Sequence, residues 1–215
     1  MSAVGYAPSL PAESGRTLFG RVMGLVALTV GFATLGVYLA RESGGGEWFI
    51  AWLLALGCLI GLNVANARGA HGLALGLLCA FGLLIGVSVS STVNYYAQVD
   101  PTALRQAFGA TALFVGGLGA VGYASRRDLA FLYRLAFWLL LALIVAGIVV
   151  IFARIQGAYT AYALVGLAVF GLYTVLDFNR LRRAGEPEAI PIAAGIFLDI
   201  LNVFLFFLRL FGGSR

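Results

Sequence analysis

The stretch Ile190-Pro-Ile-Ala-Ala-Gly-Ile-Phe-Leu-Asp-Ile-Leu-Asn-Val-Phe-Leu-Phe-Phe-Leu-Arg-Leu-Phe211 is apolar almost throughout, with a single acid, Asp199, near its middle. A helix needs about 20 mainly apolar residues to cross the hydrocarbon core of a bilayer. This stretch has that length, and six others like it precede it, at residues 18–40, 47–66, 71–91, 106–124, 131–153 and 158–179. The runs are continuously apolar rather than alternating, which predicts helices and not the strands of a membrane barrel. The expected fold is an all-α membrane protein of seven transmembrane helices. Residues 1–16 form a polar N-terminal segment, and residues 17–215 a single seven-helix domain embedded in the lipid bilayer.

Composition agrees. The 215 residues are 61% hydrophobic and 11% charged, with a mean hydropathy of +0.98, far from the balance of a soluble domain. Seven spans joined by short loops use nearly the whole chain and leave no room for a soluble catalytic domain. The net charge of +5 comes from arginine alone, since there is no lysine. Most of those arginines fall in loops, so nucleic-acid binding is a poor reading of the basic balance. Cys58 and Cys79 fall mid-span and read as small packing residues, not as half-cystines.

Arginine also orients the chain. With the N-terminus cytoplasmic, Arg16, Arg21, Arg68, Arg126, Arg127, Arg134, Arg180, Arg182 and Arg183 share that side. Arg41, Arg105, Arg154, Arg209 and Arg215 lie opposite. The bias places the N-terminus inside and the C-terminus outside, in a cell (inner) membrane. Gly109, Gly116, Gly117, Gly119 and Gly122 crowd the fourth stretch, where small residues let helices pack closely.

Asp177 and Asp199 are the acids that sit most clearly inside these stretches. A carboxylate in hydrocarbon costs several kcal/mol unless paired, protonated or wetted, so such residues face a bundle interior or a pathway. Spacing puts Tyr173, Asp177 and Arg180 on one face of the sixth helix, and Asp199 with Asn202 on one face of the seventh. The plainer alternative pairs Asp177 with Arg180 and ties Asp199 to Asn202.

Three segments carry a resemblance. They are Ala107-Phe-Gly-Ala-Thr-Ala-Leu-Phe-Val-Gly-Gly-Leu with Ser125-Arg-Arg-Asp-Leu-Ala-Phe-Leu132; Leu172-Tyr-Thr-Val-Leu-Asp-Phe-Asn179; and Ile196 to Gly212 of the last stretch. In order and spacing they resemble the Bax inhibitor-1, or transmembrane Bax inhibitor motif, family. The resemblance implies a last helix enclosed by the other six. It also implies a pH-sensitive calcium leak channel, with an aspartate pair matching Asp177 and Asp199 as the proton-sensitive element. Bacterial relatives of this kind can carry an arginine cluster at the end of the second span that latches the pair. Here that region reads Asn63-Val-Ala-Asn-Ala-Arg68-Gly-Ala-His71, leaving Arg68, Asn63 or Asn66 as substitutes, or no latch.

Two carboxylates close together in a low-dielectric site cannot both ionise cheaply, so they share a proton. With the proton they bridge two helices; without it they repel each other and attract a divalent cation. Calcium takes six to eight oxygens. The local donors are Asp177, Asp199, Asn202, Asn179, Tyr173 and free carbonyls, a set suited to transient calcium in transit. No resident cofactor is expected: calcium is the permeant ion and protons the modulator.

The chain has no serine with an available histidine, no metal-ligand cluster and no phosphate loop, so it reads as a non-enzyme. Intramembrane aspartyl proteases also use two aspartates, but their Gly-x-Gly-Asp motif is replaced here by Ile196-Phe-Leu-Asp199. The rivals to a leak are a non-conducting regulator that binds proteases or other membrane proteins, and a proton-coupled cation exchanger. His71 reads as a solvated loop residue, Asp128 as a cap on the fifth helix, and Ser88, Ser90 and Ser91 as hydroxyls satisfying backbone.

Overall fold

A computed structural model describes residues 11–42, 48–153 and 158–213. Those residues contain no strand. Seven α-helices follow one another: α1 (Pro11–Leu39), α2 (Trp48–Ala67), α3 (His71–Val99), α4 (Pro101–Ala124), α5 (Leu132–Ala153), α6 (Ala158–Arg183) and α7 (Ala189–Gly212). A single 3-10 turn, Glu186–Glu188, leads into the last. All seven are long and apolar enough to cross a membrane. Arg154, Arg215 and residues 1–10 of the polar N-terminal segment lie outside the described residues.

Several boundaries differ from hydropathy. Helix α3 runs to Val99 and α4 starts at Pro101, closing most of the expected loop between residues 91 and 106. The intervening Ser91, Thr92, Asn94 and Gln98 are polar, yet an α-helix satisfies its backbone whatever its side chains, so it continues past the end of the apolar run. It stops at Asp100, whose carboxylate accepts from the Ala103 amide at 3.0 Å. Pro101 follows at the first helical position, where its missing N–H costs nothing. Helix α6 continues through Arg180, Arg182 and Arg183, cations suited to the negative end of the helix dipole. Residues 11–16, read as polar leader, form the first turns of α1.

Helix α7 is the most buried of the seven. It packs chiefly on α6, α4 and α1, with narrower contacts to α2 and α3, while α5 docks on α6. Ile192, Ile196, Val203 and Leu208 bury its inward face, and Phe197 meets Phe81 of α3 edge to face, ring centroids 5.7 Å apart. Helices α1, α2 and α3 form one group and α4, α6 and α7 another, with little contact between α3 and α4. An apolar cleft of about 1020 Å³ opens there, lined by residues including Phe19, Thr34, Phe108, Phe197 and Phe204.

Close approach explains part of the glycine usage. A Cβ on Gly86 would strike the Ala33 backbone of α1, and one on Gly122 the Val175 carbonyl of α6. The crowd of glycines in α4 divides accordingly. Gly119 and Gly122 meet α6, but Gly109, Gly116 and Gly117 face open space and mediate no helix contact. Cys58 and Cys79 are free thiols. Ser88 and Ser90 donate to the Ile85 and Val87 carbonyls, as a hydroxyl in an apolar helix does.

Candidate functional site

Odd and even helices alternate in direction, so the ends of α2, α4 and α6 gather at one end of the bundle with the start of α1. Polar contacts concentrate there and hold the link between α6 and α7 at three points. Arg21 of α1 pairs with Glu186. Asn66 of α2 donates to the Pro187 carbonyl at 2.7 Å. Arg180 of α6 donates to the Glu188 carboxylate at 2.8 Å. His71, at the start of α3, is exposed and lies 3.3 Å from Asn66 Oδ1.

Asn179 has a different task from the ion donor expected of it. It is 3% exposed, and its amide nitrogen donates to the carbonyls of Gly122, Ser125 and Arg127 at 3.3, 3.1 and 3.2 Å. Its oxygen accepts from the Leu129 amide at 3.3 Å. Carbonyls at the end of α4 have no intrahelical partners, and this side chain supplies them. Arg182 adds bonds to the Ala124 and Ser125 carbonyls. Asp128 pairs with Arg183 at 3.4 Å and accepts from the Ala130 amide at 2.8 Å, ahead of α5.

Asp177 lies about two turns inside this end on α6. The expected Arg180 partner is taken by Glu188. Instead Tyr133, in the first turn of α5, donates its hydroxyl to Asp177 Oδ1 at 2.8 Å. The other oxygen, Oδ2, packs on Gly195 of α7, where a Cβ would collide with it. Glycine at 195 therefore makes room for the acid of the facing helix.

Asp199 lies one turn beyond Gly195, 3% exposed, and its Oδ2 is buried with no hydrogen-bond partner. Asn202 does not bind it; that amide donates to the Leu198 carbonyl at 2.8 Å. Neither plain alternative is seen as a hydrogen bond: Arg180 bonds Glu188, and the Asn202 amide nitrogen bonds Leu198. Asp177 packs on Gly195, four residues before Asp199, so the two acids stand on facing stretches of α6 and α7.

Asn63 caps nothing in the site, donating to Leu59 within its own helix. Among the described residues no three His, Cys, Asp or Glu side chains gather as a metal site. Tyr133 was missed because a tyrosine opening an apolar stretch carries no spacing signal relative to α6. A hydroxyl near the mouth of a span was its only mark.

Comparison with known proteins identifies the family. The chain is 29% identical over 162 residues to an uncharacterized membrane protein of Vibrio cholerae, covering 74% of this chain and 72% of that one. It is 26% identical over 171 residues to the inner membrane protein YbhL of Escherichia coli, with the same coverage. It is 31% identical over 144 residues to the Golgi anti-apoptotic protein of Vaccinia virus, covering 66% and 60%. The family described as inhibitor of apoptosis-promoting Bax1 matches residues 15–215. With seven apolar helices and that match over nearly its whole length, the chain belongs to the Bax inhibitor-1 family of multi-pass membrane proteins.

Proposed function

We propose that this protein is a pH-sensitive calcium leak channel gated by Asp177 and Asp199. The observation that carries the reading is Asp199 Oδ2, buried without a partner one turn from the glycine on which Asp177 packs. A buried carboxylate in that position is stable only with a proton on it or a cation beside it. Proton and divalent cation therefore compete for one place between α6 and α7. The few other free oxygens nearby suit transit rather than tight binding. Of the named donors, Asn179 has its oxygen committed to the Leu129 amide, which leaves Asp177, Asp199, Tyr173 and the Asn202 oxygen, whose amide nitrogen alone is bound to backbone.

The name of the Escherichia coli relative supports an inner-membrane location. The arginine bias supports a cytoplasmic N-terminus and an outer C-terminus. The end that holds the α6–α7 link is then cytoplasmic. The test is calcium flux into liposomes holding purified protein, across a pH series, for wild type, Asp177→Asn and Asp199→Asn. Wild-type flux varies with pH and both variants lose that dependence. Equal, pH-independent flux from all three removes the pair from the mechanism.

A second reading, a non-conducting regulator of membrane proteins, draws on the Vaccinia virus relative named as anti-apoptotic. A stoichiometric membrane partner on purification, together with no flux, favours it. Flux that requires an opposing proton gradient identifies an exchanger.

A further inference from the structure

We propose that Tyr133 is the positioning residue for the Asp177 carboxylate, and that the polar cleft it lines is the aqueous route by which protons and cations reach the acidic pair. The inference rests on the channel reading above. The cleft holds about 400 Å³ at the arginine-rich end of the bundle, and Asp128, Tyr133, Leu176, Asn179, Arg180 and Glu188 line it.

Its rim is charge-balanced. Among the lining residues, Arg180 is paired with Glu188 and Arg183 with Asp128, so each lining cation is opposed by a carboxylate. Tyr133 belongs both to the cleft wall and to Asp177, through the 2.8 Å hydrogen bond. The carboxylate thus has two sides: Oδ1 turns to the phenol of Tyr133, which stands between it and the cleft, and Oδ2 turns to Gly195 and α7.

The titratable and charged groups around Asp177 are Tyr133 of α5, bonded to it, Tyr173 and Arg180 on the same face of its own helix, and Asp199 of α7, one turn beyond the Gly195 on which it packs. Helix α4 turns Gly119 and Gly122 to α6 at this level and adds no charge. A phenol suits this place, since it donates to a carboxylate and can accept from a carboxylic acid. Tyr133 can therefore hold Asp177 in both protonation states while the charge at the site changes.

Tyr133→Phe removes only the hydroxyl. Infrared difference spectra between acid and alkaline pH identify the Asp177 carboxyl band by its loss in Asp177→Asn. In Tyr133→Phe that band is expected to shift in frequency and its pH midpoint to move by up to about one unit, because the bond to the charged carboxylate is stronger than the bond to the neutral acid. A band and midpoint identical to wild type overturn the positioning role.

For the route, Cys58 and Cys79 are replaced by alanine, and Ala130→Cys and Tyr133→Cys are exposed to a membrane-impermeant cationic thiol reagent. Reaction at both positions supports the cleft; reaction at 130 with none at 133 overturns it. Absence of calcium flux in wild type refutes the channel reading alone, since the infrared and thiol measurements do not depend on conduction.

Discussion

Asn179 and Asp199 are equally buried, each 3% exposed, yet their surroundings are opposite. The asparagine makes four bonds to backbone at the end of α4 and the loop beyond it; the aspartate leaves Oδ2 with none. Deleting a satisfied group orphans its partners, whereas deleting an unsatisfied one removes a penalty. Asn179→Ala is therefore expected to cost about 2–3 kcal/mol. Asp199→Leu should cost nothing and gain about 1 kcal/mol. Thermal melting in detergent should rank Asn179→Ala below wild type and Asp199→Leu at or above it. A destabilised Asp199→Leu shows that the acid has a structural partner after all. Sequence marked both residues as polar in an apolar setting, and nothing in it distinguished the staple from the orphan. The distinction depends on carbonyls more than fifty positions away along the chain.

At the scale of elements, the existence and number of helices were legible because a bilayer demands continuous apolar runs. Their ends were less so. The α3 to α4 junction is decided by the Asp100-Pro101 cap and not by hydropathy. Glycine content was equally ambiguous: Gly109 and Gly122 look alike in the sequence, but only the second touches a neighbouring backbone. Gly122→Val is expected to separate α4 from α6 and to lower the melting temperature strongly. Gly109→Ala should stay within about 0.5 kcal/mol of wild type. Comparable losses from both contradict the assignment of Gly122 to the contact. Arg21→Ala, which breaks an exposed pair on the α6–α7 link, should cost under about 1 kcal/mol.

Over the whole molecule, the arginine-rich end carries the link contacts, the Asn179 staple and the polar cleft. The other end carries Arg209 over the Tyr159 and Tyr162 rings, 5.6 and 5.9 Å from their centroids. Single-cysteine labelling with an impermeant reagent in intact cells checks the proposed orientation: Gly213→Cys should label from outside, and Arg126→Cys should not. The reverse pattern inverts the orientation and the side from which the cleft is reached.

Sequence by itself determined the class of the protein, since hydrocarbon thickness and the cost of bare backbone polar groups leave few ways to use seven long apolar runs. It also singled out Asp177 and Asp199, because an acid in such a run is expensive wherever it points. The tertiary structure alone decided what each acid touches. Tyr133, Gly195 and Glu188 reach Asp177 or its expected partner from elements whose relative rotation no spacing rule supplies. That rotation is set by side-chain packing between α5 and α6 and between α6 and α7, and it put a phenol on one oxygen of Asp177 and a glycine against the other.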